Sequence, residues 1–200
     1  MTSISMENKF INANVFYALL TALNDIMGQD GKNSVLRYAN LEEYINVCAP
    51  EKINTNEIIP YRTFHALLDS MFTLLGFGTS AILYEAGKKW LIYLSPFGIP
   101  IKDMMKKLEN WLGGKWEYYK ENDKEIVRIY NCPICADFKA YKGKPFCHII
   151  CGILSKIKES ETGEKYDVIE DKCILLNDEY CEFRIIKKNT LNLKDIIDGG

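Results

Sequence analysis

Two hundred residues, 48% of them apolar and 26% charged, suffice for one full hydrophobic core or a core with a helical appendage, and are too apolar for a disordered chain. A net charge of -2, with lysines and arginines scattered among acids, leaves no electrostatic footprint for nucleic acid. No apolar run approaches the roughly 20 residues that span a bilayer, and the N-terminal residues lack the basic-then-apolar pattern of a secretion signal, so the chain is expected in the cytoplasm.

Val15, Phe16, Leu19, Leu20, Leu23, Ile26 and Met27 recur at the i, i+3, i+4 spacing of an amphipathic helix over residues 12–27, with Gly28 as its stop and Gln29-Asp30-Gly31 as a turn. Shorter helical pieces are predicted at 35–38 and 41–47, then an irregular connection from Ala49 to Pro60. From Thr63 to Leu75 the apolar stripe of Phe64, Leu67, Leu68, Met71, Phe72 and Leu75 predicts a strong helix, ended by Gly76 and Gly78. The runs 80–84 and 90–94 are short and apolar, and fit a strand or a buried helix equally. Met104, Met105, Leu108, Trp111 and Leu112 predict another helix over 101–112, ended by Gly113-Gly114.

The remainder reads as hairpin, helix, hairpin. Residues 115–120 and 125–130 alternate around 121–124, and 165–173 and 181–187 flank a turn at Asn177-Asp178; between them lies an apolar helical segment over 146–158. The predicted fold class is therefore α+β, an antiparallel sheet of two hairpins packed with helices. The division expected is a helical N-terminal lead-in over 1–59, an α+β domain over 60–188, to which the resemblance given below assigns ligand binding, and a tail over 189–200.

Six of the seven cysteines fall within residues 132–181. In a chain with no secretion signal, such convergence points to metal before disulfides. A hairpin centred on Asn177 sets Cys173 opposite Cys181, with side chains about 5 Å apart, and places Ile169, Phe183 and Ile185 on the same face. That spacing suits two thiolates on one tetrahedral ion and, with adjustment, a cross-strand disulfide. Cys147 begins a helix, where the dipole favours the thiolate. Cys151, one turn on, fits either a ligand or a small core residue. Cys132-Pro133-Ile134-Cys135 has the C-x-x-C spacing of a zinc knuckle and adds two lesser candidates. Glu170 stands three residues from Cys173, so a regular strand turns it to the opposite face and opposite Arg184; ligation by it requires a bulge or a strand end. His65 and His148 are read as packed or surface residues.

The pattern Cys147-His148-x-x-x-Gly152, Thr162-Gly163, Glu170-x-x-Cys173 and Cys181-x-Phe183, preceded by Leu74-Leu75-Gly76 and by Ala81 to Gly87, resembles the vinyl-4-reductase domain family, relatives of the heme-NO-binding and TRAPP-subunit fold. The resemblance covers about residues 60–187. It implies an α+β domain, commonly dimeric, with an apolar pocket for a hydrophobic ligand such as a hydrocarbon and a structural zinc. It also implies helix, strand and glycine stretch over 74–87. By the same resemblance the zinc ligands fall on Cys147, Glu170, Cys173 and Cys181, and this chain departs by carrying Cys132, Cys135 and Cys151 as well.

The function expected is a ligand-binding or sensing module whose zinc stabilises the fold, with a candidate pocket at Phe72, Phe77, Trp90, Tyr93 and Trp111, each of which also fits ordinary core. No dinucleotide fingerprint or phosphate loop supports a reductase, and no catalytic residue is assigned. The alternatives are an enzyme or accessory protein of tetrapyrrole or cofactor metabolism, which needs an open metal position or a reactive thiol, and a homodimeric scaffold or assembly subunit.

Overall fold

A computed structural model describes residues 10–47, 57–95, 98–121, 124–135 and 146–188. The tail over 189–200, Cys48 and most of the connection before Ile58 lie outside them. The chain begins with β1 (Phe10–Asn12) and α1 (Ala13–Tyr38), followed by β2 (Ile58–Pro60), α2 (Tyr61–Leu75), α3 (Thr79–Leu94) and α4 (Ile101–Leu112). The hairpin strands β3 (Lys115–Glu121) and β4 (Lys124–Tyr130), then α5 (His148–Thr162), and finally β5 (Tyr166–Lys172) and β6 (Cys181–Lys187) complete it.

The Asn12 side chain accepts a 2.9 Å hydrogen bond from the Asn14 amide and caps α1. Gly28, at φ 73°, breaks the helix as its sequence position predicts. The expected turn at 29–31 is corrected: only Gly28 leaves helical geometry, and the helix resumes at once to Tyr38. Part of the expected irregular connection is ordered, because Ile59 pairs with Ile11 in a two-stranded ribbon of β1 and β2. The two ambiguous runs at 80–84 and 90–94 are a single helix, α3, and the strand that the resemblance suggests over 81–84 is not formed. Thr79, Leu83, Ala86, Gly87, Trp90 and Leu91 are its buried positions, at helical spacing.

The sheet order is β3-β4-β6-β5, all neighbours antiparallel. The two hairpins thus lie side by side, joined along β4 and β6, in the α+β arrangement the pattern predicts. α5 lies against β5 and β6, and α3 lies on α5 and in turn packs on α1. Trp90 Nε1 donates to the Val15 carbonyl at 2.7 Å and ties α3 to α1. One core cluster runs from Ile11 to Ile185, so the N-terminal helix shares its interior with the sheet.

The α3 and α5 backbones touch. A Cβ built on Gly87 would stand 2.1 Å from the Ile149 carbonyl oxygen, and one on Gly152 would stand 1.9 Å from the Tyr84 carbonyl oxygen. Both obstacles are backbone, so neither can rotate aside. Gly152→Ala is accordingly expected to cost at least about 2 kcal/mol by forced separation of the helices, seen as a Tm lower by at least about 4 °C in thermal unfolding. An unchanged Tm would mean that the crossing is not this close.

Candidate metal centre

Close helix packing carries the start of α5 down to the end of the β5-β6 hairpin. There the predicted register holds at Lys172↔Glu182 and then slips by one: Glu170 pairs with Phe183 and Ile169 with Arg184. The slip is a β-bulge at Asp171. Its consequence is that Glu170 and Cys173, three residues apart, both turn to the inner face. Ile169, expected inside, is instead 43% exposed. The expected Glu170–Arg184 pairing is replaced as well, since Arg184 Nε and Nη2 donate to the Asp171 carboxylate at 2.8 and 2.9 Å.

Around the inward Glu170, five side chains bring one donor atom each within 4.8 Å of one another: Cys135, Cys147, Glu170, Cys173 and Cys181. All four cysteines are buried. Cys135 Sγ lies 3.0 Å from Cys147 Sγ, 3.5 Å from Cys173 Sγ and 3.6 Å from Cys181 Sγ, and Cys147 and Cys181 are 3.9 Å apart. Cys132 Sγ reaches Cys147 Sγ at 3.6 Å but is not part of the mutual group. Cys151 is buried one turn farther along α5 and lies outside the group. All these thiols are free, with no disulfide among them.

Local folding places each donor. Cys147 sits at the N-cap of α5, and its amide donates to Glu170 Oε2 at 2.8 Å. The Cys173 amide donates to Asp178 Oδ2 at 2.8 Å, and Asn177 takes the left-handed conformation that turns the chain back toward Cys181. The Ile174 amide points at Cys181 Sγ, 3.5 Å away. In the Cys132–Cys135 turn, the Cys135 amide donates to the Cys132 carbonyl at 3.2 Å, and His65 Nε2 donates to the Pro133 carbonyl at 2.9 Å. The sequence offers no signal for that His65 contact, because 68 residues separate its partners.

Protons are unevenly shared in this group. Hydrogen bonds from Cys135 and Cys147 lower Cys173 to about 6. At Cys181 the bond with Cys132 works upward but is outweighed by those with Cys135, Cys147 and Cys173, leaving it also at about 6. Burial raises Cys147, and the bond with Cys132 raises Cys135. Burial, and then the Cys173 thiolate, push the Glu170 carboxyl up to about 9. Glu170 Oε1 is buried and has no hydrogen-bond partner among the described residues. Four converging thiols with a buried carboxylate beside them form a donor set suited to a soft, tetrahedral metal ion, and the residues present fit zinc.

Among the described residues, the candidate pocket aromatics have different surroundings. Trp90 and Trp111 share an apolar cavity of only about 10 Å³ with Leu108 and Ile153, room for about one water. Phe72 stacks on Phe146 with ring centroids 4.2 Å apart. Tyr93 is 37% exposed and donates to Asp25. The side chain of Phe77 lies outside the described residues. A larger cleft of about 260 Å³ opens on the other side of Trp111, between Tyr61, Glu109, Gly113, Asn131 and Pro133. No helix among the described residues is long and apolar enough to cross a membrane.

Residues 126–187 match the vinyl-4-reductase domain, and this segment contains every donor of the cluster. The resemblance read from the sequence is borne out over it. An uncharacterized protein of Methanocaldococcus jannaschii, MJ0150, is 27% identical over 150 residues, spanning 73% of this chain and 86% of that protein. In fold the chain is similar to an Fe(II) unliganded H-NOX protein from K. algicida, with a TM-score of 0.60 at 12% identity over 91% of this chain and 99% of that one. A vinyl-4-reductase family protein from Methanocaldococcus jannaschii aligns with a TM-score of 0.48 at 20% identity, over 82% of this chain and 94% of that one.

The Cys147 amide gives a test of the local geometry. Glu170→Leu in metal-free protein leaves that amide without its acceptor and is expected to cost about 1–3 kcal/mol, measured by urea unfolding. Glu170→Gln keeps an acceptor and is expected to cost less than Glu170→Leu; equal losses would remove the assigned hydrogen bond.

Proposed function

We propose that the chain is a zinc-containing module that binds or senses a hydrophobic small molecule, with the zinc stabilising the fold and taking no part in chemistry. The observation that carries this is the buried convergence of four thiols and one carboxylate from four separate segments. Such a group is costly to bury unless a cation neutralises it. Zinc held by side chains from the turn after β4, the start of α5 and both strands of the last hairpin would clasp these segments together, which is how a structural metal contributes folding free energy. Free thiols in this number suit a reducing compartment such as the cytoplasm.

The ligand site proposed is the cleft beside Trp111. Its volume, about 260 Å³, is close to the lower end of the range for small-molecule pockets, about 300–1,000 Å³. Tyr61 and Trp111 supply aromatic walls, and Glu109 and Asn131 supply polar groups that would orient an occupant. Pro133 lines the same cleft and belongs to the Cys132–Cys135 turn, so an occupant would lie against the segment that carries Cys135. Homodimer formation, which the family resemblance implies, completes the proposal.

Purified protein examined by native mass spectrometry is expected to retain one zinc per chain, and Cys173→Ser is expected to lose most of it together with several degrees of Tm. Unchanged zinc stoichiometry in that variant would remove the metal from the proposal. An apolar compound retained in the same spectrum is expected to be lost from Trp111→Ala with zinc kept; retention in the variant would place the ligand elsewhere. Sedimentation equilibrium is expected to give twice the chain mass, and a monomer at all concentrations would remove the homodimer.

A further inference from the structure

The family resemblance supplies three thiolates and one carboxylate as zinc ligands, yet this chain holds more donors than a tetrahedral ion can use. Cys135 is the additional thiol with the right geometry. Around a zinc with Zn–S bonds of about 2.3 Å, tetrahedral sulfurs stand about 3.8 Å apart. Cys135 Sγ is 3.5 Å from Cys173 Sγ and 3.6 Å from Cys181 Sγ, and those of Cys147 and Cys181 are 3.9 Å apart. Cys135 Sγ also lies 3.0 Å from Cys147 Sγ, about 0.8 Å closer than two sulfurs on one tetrahedral zinc, a gap that metal binding would open; it thus approaches all three other thiols.

The turn that carries Cys135 is held from two sides. Its amide closes the Cys132–Cys135 turn, and His65 holds the intervening Pro133 carbonyl at 2.9 Å. Cys135 is 1% exposed, which leaves its sulfur no solvent to face. Glu170 is differently engaged: its Oε2 already accepts the Cys147 amide at 2.8 Å, the contact by which an outer carboxylate orients a ligand residue. Soft thiolates are also the preferred partners of zinc where both thiolate and carboxylate are on offer.

Resting on the zinc reading above, we propose that the metal is held by four thiolates, Cys135, Cys147, Cys173 and Cys181, and that Glu170 is a positioning residue acting through the Cys147 backbone. Cys132 is the non-ligating member of its C-x-x-C pair. A site closed by four protein sulfurs has no open position for water or substrate, so the metal serves structure alone.

The test replaces zinc by cobalt(II) in the full chain and records the thiolate-to-cobalt charge-transfer absorption, whose intensity per metal grows with the number of bound thiolates. Cys135→Ser is expected to lower that intensity by about one quarter, as one of four Cys ligands is lost, while Cys132→Ser and Glu170→Gln leave it unchanged. A change in Glu170→Gln, or in Cys132→Ser in place of Cys135→Ser, overturns the assignment. Because Cys135→Ser can fail to fold, X-ray absorption of the unsubstituted zinc protein provides a second measurement. Four sulfurs at about 2.3 Å with no oxygen are expected; three sulfurs and one oxygen overturn the four-thiolate site and leave the zinc reading standing. Protein that binds neither metal overturns both.

Discussion

The contact on which the rest of this structure depends is the crossing of α3 and α5, where Gly87 and Gly152 let the two backbones meet. With any side chain at either position the helices would stand apart by the thickness of at least a methyl group. α5 is the layer between the sheet and the helical half of the molecule, so its depth sets the distance between those halves. It also sets where Cys147 lies, because that residue is the N-cap of α5. The packing of two glycines in the core and the convergence of thiols at the helix start are thus one geometric problem.

The second constraint is the bulge at Asp171. A regular strand alternates faces, so Glu170 and Cys173 would point opposite ways. One extra residue turns both inward and sends Asp171 out to Arg184. That ion pair is partly exposed, with side-chain exposures of 38% and 33%, and such pairs contribute little. The register is held instead by the inner face, where Phe183 and Ile185 are buried beside the cysteines. The thiols of Cys147, Cys173 and Cys181 in that core lie 3.0–3.6 Å from Cys135 Sγ, whereas one Glu170 oxygen has no partner among the described residues.

Much of this was legible along the chain. The helices over 61–75 and 101–112 carry one-sided apolar stripes, and glycines mark their ends, so local chemistry and tertiary packing agree. The two hairpins were legible because each strand has a half-polar face and a turn signal. α3 was not, because its apolar runs sit on both sides of Gly87 and a buried segment shows no period that separates helix from strand. Of the aromatics grouped as pocket candidates, Trp90 and Trp111 line one small cavity while Phe72 and Tyr93 meet other neighbours, since aromatic content says nothing about which rings share a cavity.

The sequence by itself determined the α+β class, the hairpin pairing near Asn177, and the set of cysteines from which a soft-metal site could be drawn. These follow from hydrophobic period, turn chemistry and the scarcity of converging cysteines in a chain of this kind. Only the tertiary structure decided that Glu170 faces inward, that Cys135 touches the other three thiols, and that Cys132 and Cys151 stand outside the mutual group. The reason is physical: a bulge shifts register without any distinctive residue to announce it. The approach of one C-x-x-C turn to a distant hairpin, moreover, is fixed by the packing of helices neither segment contains.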